Sequence, residues 1–121
     1  MPHEITPNSE KRVVVIRVWG EVTPDEMRGV FSELGAAPAL SGFLQLADLR
    51  ELTSLTTISA ADIRAAAATV KSASPRRAIV APDSATFGLA RMFAALRNLR
   101  DSADQIGVFR TMREAEEWLG M

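Results

Sequence analysis

The chain contains no cysteine and one histidine, His3. Disulfides, thiolate nucleophiles and cysteine-bound metals are therefore excluded, together with Cys–His pairs and multi-histidine zinc sites. Neither G-x-G-x-x-G nor G-x-x-x-x-G-K-[ST] occurs, which removes the usual dinucleotide and triphosphate cradles. No apolar run approaches the ~18 residues of a membrane span, and the opening "MPHEITPNSEKR" has no apolar signal core. A cytoplasmic protein that does not span a membrane is the expectation. Lysine is scarce, with only Lys11 and Lys71 beside twelve arginines, and the formal net charge is −1. That balance gives no reason to expect nucleic acid or an anionic membrane as the main partner.

What is present is ordinary for a soluble fold: 121 residues, 47% apolar and 24% charged. That length predicts one domain over residues 1–121, burying about two-thirds of its unfolded surface. No linker, internal repeat or low-complexity tract interrupts it. Short β-rich runs alternate with helical patterns, the pattern of an α/β fold. "RVVVIRVWG" (Arg12–Gly20) is β-branched and almost continuously apolar, as a central strand should be. "HEITPNSEK" before it offers a short strand and a turn, hence an antiparallel hairpin partner. "GFLQLADL" (Gly42–Leu49), "RRAIVAP" (Arg76–Pro82) and "QIGVFRT" (Gln105–Thr111) supply three more strands. Helical connections between them are long enough for right-handed crossovers, so these strands should run parallel to the central one.

Four helices are marked by their caps. "TPDE" places Thr23 at the N-cap, Pro24 in the first turn and Glu26 three residues on, a capping box. Met27, Val30, Phe31 and Leu34 follow on one face, and Gly35 should stop the helix. Ser59 and Asp62 repeat the box before Ile63, Ala66, Ala67 and Val70. A third helix starts at Asp83 or Ser84 and should bury Leu89, Met92, Phe93, Leu96 and Leu99. Thr111 and Glu114 cap a fourth, which presents Ala115, Trp118 and Leu119 to the core. The expected architecture is α/β: a mixed sheet of four to five strands with about four helices.

Two stretches carry a resemblance to a known family. "RAIVAPDSATFGLARMFAAL" followed by "IGVFRTMREAEEWL" resembles the third strand, Phe-Gly-x-Ala-Arg-Met helix and closing helix of the SpoIIAA-like branch of the STAS superfamily, the anti-sigma-factor-antagonist fold. "LADLRELTSLTTISAADI" occupies the place of the strand, loop and helix where phosphorylated STAS domains carry their serine. Those members show an Asp-Ser-Ser-Gly-like sequence, whereas "TTISAAD" has neither the Asp-Ser pair nor the glycine. By position Ser59 is the nearest phosphoacceptor candidate, with Thr57 and Thr56 behind it. The fold also resembles that of lipid-binding CRAL-TRIO domains. The resemblance therefore implies an interaction or ligand-binding module and not a catalyst.

The candidate residues divide between structural and functional readings. Ser59 as a helix cap is worth about 1 kcal/mol over alanine; as a phosphoacceptor it would add about two negative charges to an exposed loop. Asp48, at the expected strand end, would order the loop that follows or face a ligand at the sheet rim. Arg50, Ser54, Asp83, Ser84, Phe87, Arg91 and Met92 complete the candidate rim. Gly88 inside a helix costs ~1 kcal/mol relative to alanine, so close packing is expected there. Phe87 lies off the apolar stripe and should cover a second surface or line a cleft. Arg91, Arg97 and Arg100 leave the third helix basic, suited to an acidic partner or to solvent. Three functions follow. The first is a non-enzymatic regulatory protein-interaction module, recognising a protein partner or a second copy of itself, as a dimer, through the loop Leu49–Ser59 and the helix that follows it, with the loop before that second helix as the place of a switch. The second is a small apolar-ligand or lipid binder with a cleft near Phe87 and Met92. The third is a carboxylate hydrolase, which needs Asp48 and Asp83 in one pocket. No cofactor is called for.

Overall fold

The computed structural model describes residues 3–54, 58–69, 75–100 and 105–121. Five strands form one sheet: β1 (His3–Asn8), β2 (Val13–Glu21), β3 (Leu44–Ser54), β4 (Arg77–Val80) and β5 (Ile106–Phe109), in spatial order 1-2-3-4-5. β1 pairs antiparallel to β2; the other neighbours are parallel. Between them run helices α1 (Pro24–Gly35), α2 (Ala60–Thr69) and α3 (Ser84–Arg100), and α4 (Met112–Leu119) follows β5. The architecture is thus the α/β mixed sheet with four helices that the strand and cap pattern predicts. No helix among the described residues is long and apolar enough to cross a membrane.

β2 shows how the sheet divides the core. Its side chains alternate, so Val14, Ile16 and Val18 enter one apolar cluster and Val13 and Val15 the other. The first cluster lies under α1, α2 and α3, through Val30, Ile63, Ala66, Ala67, Phe93 and Ala94. The second lies under α4, where Leu46, Ala78 and Val80 meet Ala115 and Leu119. Sequential parallel strands joined by right-handed crossovers place their connecting helices on one face, leaving the other to the helix after the last strand.

The helix signals behave as capping chemistry requires. Thr23 Oγ1 accepts from the Glu26 amide at 3.3 Å, and Glu26 accepts from the Thr23 amide at 3.1 Å. Thr111 caps α4 by accepting from the Glu114 amide and donates its hydroxyl to Glu114 Oε1, and Gly120 closes that helix in the left-handed region at φ 80°, where glycine has no Cβ to clash. Gly35 is still helical, and the cap of α1 falls on Ala36.

Three expectations are corrected. β3 does not end at Leu49 but continues to Ser54, paired with β2 as far as Glu21↔Ser54, so only the remainder of the proposed recognition loop lies beyond it. Leu99 is 84% exposed, because the α3 stripe that meets the core runs through Ala90, Phe93, Ala94 and Arg97. At Gly88 an added Cβ would meet nothing within 4 Å among the described residues, so the expected packing against the sheet does not occur there, and packing against a partner is left as the other expectation.

A cavity beneath the first helix, and the polar rim

Between α1, α3 and the sheet lies a cavity of about 170 Å³. Each element contributes through its residue period. α1 turns Met27, Val30, Phe31 and Leu34 inward, at the i, i+3, i+4, i+7 spacing of one helical face. β2 supplies Ile16 and Val18, and β3 supplies Gln45, Ala47 and Leu49, in both cases alternate residues of a strand. α3 closes the far side with Thr86, Leu89, Ala90 and Phe93. The Phe31 and Phe93 rings stack across the helix pair at 5.4 Å between centroids and 8° between planes.

Three lining residues are polar: Gln45, Arg77 and Thr86. Gln45 and Arg77 are register partners on neighbouring strands, and the Arg77 guanidinium lies 6.0 Å from the Phe93 centroid. Thr86, buried in the first turn of α3, donates its hydroxyl to Asp83 Oδ2 at 3.2 Å. No aspartate, glutamate or histidine is among the described lining residues. The described lining therefore presents an almost wholly apolar surface.

The rim candidates occupy separate places. Asp48 is 5% exposed and is held by Arg50: Oδ1 accepts from the Arg50 amide at 3.1 Å and from Nε at 2.9 Å, and Oδ2 accepts from Nη2 at 2.9 Å. Burial pushes the Asp48 carboxyl up, but the Arg50 hydrogen bonds and charge outweigh it and hold it below the usual carboxylate range. Arg17 stacks on Trp19 at 4.5 Å and pairs with Glu51 beside this couple. Asp83 is spent on α3, accepting the Thr86 amide at 3.1 Å, and Ser84 is exposed at the start of that helix. Neither Asp48 nor Asp83 lines the cavity, so the convergence that a carboxylate hydrolase needs does not occur there.

Phe87 and Met92 do not line the cavity either. Met92 packs against the α1–α3 side of the core, and Phe87 belongs to neither apolar cluster. Its ring instead carries two guanidinium groups, Arg110 at 4.3 Å and Arg91 at 5.9 Å. The described cavity lies under α1 and not beside Phe87, which sits one position off the inward face of α3. Arg97, expected on a basic outer face, is 7% exposed and donates to the Ala67 carbonyl at 3.0 Å, linking α3 to α2.

Ser59 forms the reciprocal cap its spacing implies. Its hydroxyl accepts from the Asp62 amide at 3.2 Å and donates to Asp62 Oδ2 at 3.0 Å, while its own amide donates to the same oxygen at 2.8 Å. Those bonds, the backbone one foremost, hold the Asp62 carboxyl below its ordinary range. A phosphoryl group on Ser59 would meet that carboxylate. Thr56, Thr57 and the side chain of Ser54 lie outside the described residues.

Sequence reasoning missed the cavity and two of its polar residues, Gln45 and Arg77. The signal lay in the strands: a glutamine and an arginine at adjacent core-facing positions, with small Ala47 and Ala90 opposite the large residues of α1. It also missed Arg110, which reaches Phe87 from the turn after β5.

No family model matches this chain, and neither does any curated protein. Among solved structures it is similar to an uncharacterized protein of the DUF3478 family with a SpoIIAA-like fold, from Shewanella loihica PV-4. The two share 20% identity at a TM-score of 0.58, over 98% of this chain and 92% of that one. The chain thus has the SpoIIAA-like fold that its strand and helix order resembles.

Proposed function

We propose that this SpoIIAA-like domain is a non-enzymatic binder of a small apolar molecule, received between α1, α3 and the sheet. The observation that carries the reading is the cavity of about 170 Å³ with its apolar wall. Protein interiors are close-packed, so an apolar hollow of that size leaves side chains such as Met27, Phe31 and Leu34 without partner atoms on one side, and an apolar occupant gains about 25 cal/mol for each Å² of that surface it covers. Apolar cavities of ~150 Å³ accept ligands the size of benzene. The same dimension here suits a ring system or a short aliphatic chain.

Native mass spectrometry of freshly purified protein tests this directly, since it reports retained ligand and oligomer number together. A companion titration uses N-phenyl-1-naphthylamine, a neutral dye that fluoresces in apolar sites. The expected result is saturable dye uptake that is lost on Ala90→Leu, a substitution that fills the cavity from α3. Absence of both retained ligand and dye uptake would dismiss the reading.

A further inference from the structure

The structure points to a second site, separate from the cavity: we infer that Phe87, Arg91 and Arg110 form a receptor for a carboxylate of an acidic peptide segment. The three residues come from two elements. Phe87 and Arg91 lie one turn apart on α3, and Arg110 enters from the turn after β5. Both guanidinium carbons lie near the same ring, at 4.3 Å and 5.9 Å from its centroid, so they stand within about 10 Å of each other. A carboxylate brought to this ring is attracted by both charges and can hydrogen-bond a guanidinium group there.

Arg110 is fixed by more than the ring. Its Nη1 donates to the Pro82 carbonyl at 3.1 Å, which ties the turn after β5 to the turn after β4. Guanidinium has five N–H donors, so most remain for a ligand. Arg17, Arg28, Arg50 and Arg113 are each held by a carboxylate of this chain. Arg91 and Arg110 are in no ion pair with a described residue, and both are exposed. Two cations already positioned on an aromatic face bind an anion with little ordering cost. The place is the C-terminal end of parallel strands, where open α/β sheets receive ligands.

The size of the cationic spot selects the partner. Nucleic acid and anionic membranes are held by several cations spread over a wide surface. Here only two cations meet, at one ring. Two charges match one or two carboxylates better than a long run of phosphates. An acidic peptide with interleaved apolar residues presents such carboxylates, its apolar side chain meeting the half-buried Phe87.

Fluorescence anisotropy tests the assignment with a dye-labelled decapeptide of alternating glutamate and leucine and its glutamine–leucine counterpart. The acidic peptide should bind saturably and more weakly as salt rises, with the glutamine peptide at least tenfold weaker. The double variant Arg91→Gln/Arg110→Gln should lose at least tenfold, while Arg64→Gln/Arg100→Gln, which removes two exposed arginines away from the ring, should bind as wild type. Matching melting temperatures of the variants establish that folding is intact. The inference is overturned by absence of saturable binding, equal binding of both peptides, an unaffected double variant, or tighter binding of single-stranded DNA or phosphatidylglycerol vesicles through the same arginines. Ala90→Leu should leave peptide binding unchanged, which separates this site from the cavity.

Discussion

The two faces of the sheet are built from similar residues and reach opposite results. On the α4 side one eight-residue helix covers the core, and Val13, Leu46, Ala78, Val80, Ala115 and Leu119 are all buried. On the other side three helices leave about 170 Å³ open. Small residues explain both. Under α4, Ala115 meets Ala78 and Val80, and Gly107 lets the Phe109 and Trp118 rings pass where a Cβ would stand 2.8 Å from Phe109. The helix can follow the small residues down to the sheet. Under α1, Ala47 and Ala90 are just as small, but Met27, Phe31 and Leu34 hold the helix away. A small side chain tightens a core only where its neighbour is free to approach.

Substitutions that reverse this contrast give the sharpest tests. Leu119→Ala, on the filled face, should lose about 3 kcal/mol of stability in urea unfolding, the usual cost of a buried leucine truncated to alanine. Arg50→Gln should cost about 2 kcal/mol, because it leaves the buried Asp48 carboxylate without its bidentate partner. Ala115→Leu should also destabilise, by about 1–3 kcal/mol, since that residue is fully buried against the sheet. Ala90→Leu, the same change on the open face, should instead stabilise by about 1 kcal/mol. Equal signs for the two alanine substitutions would erase the distinction between the faces.

Acid titration adds a pH arm to the comparison. Asp48 follows Leu46 by two residues, on the α4 side of β3, and its folded carboxyl is held below the ordinary value. Its contribution is therefore full above the unfolded pKa of ~3.9 and declines as pH falls through the folded value. Melting temperatures of Asp48→Asn should fall less steeply than wild type below about pH 4.

Much of this molecule could be read before any coordinate. The capping pairs Thr23–Glu26, Ser59–Asp62 and Thr111–Glu114 are local, so sequence spacing alone identifies them. β2 was legible because a β-branched run suits a strand covered on both faces. The end of β3 was not, because "RELTS" is mostly polar, and only its pairing with β2 makes it a strand. Arg97 looked like a surface residue until the carbonyl of Ala67 supplied a buried acceptor. The cavity is the clearest case of what spacing cannot convey. The inward positions of α1 and β3 were identifiable, but the distance between them depends on how every other contact positions the helix. The rim followed the same rule: Phe87 and Arg91 are one turn apart and readable together, whereas Arg110 joins them only through the fold.

The consecutive strand order also bears on synthesis. Each strand docks beside the one made immediately before it, so a chain leaving the ribosome always finds its next template already in place. The face beneath α4 is different: it stays wet until Met112–Leu119 arrive. A nascent chain paused before that point should therefore expose the Leu46–Val80 surface to chaperones.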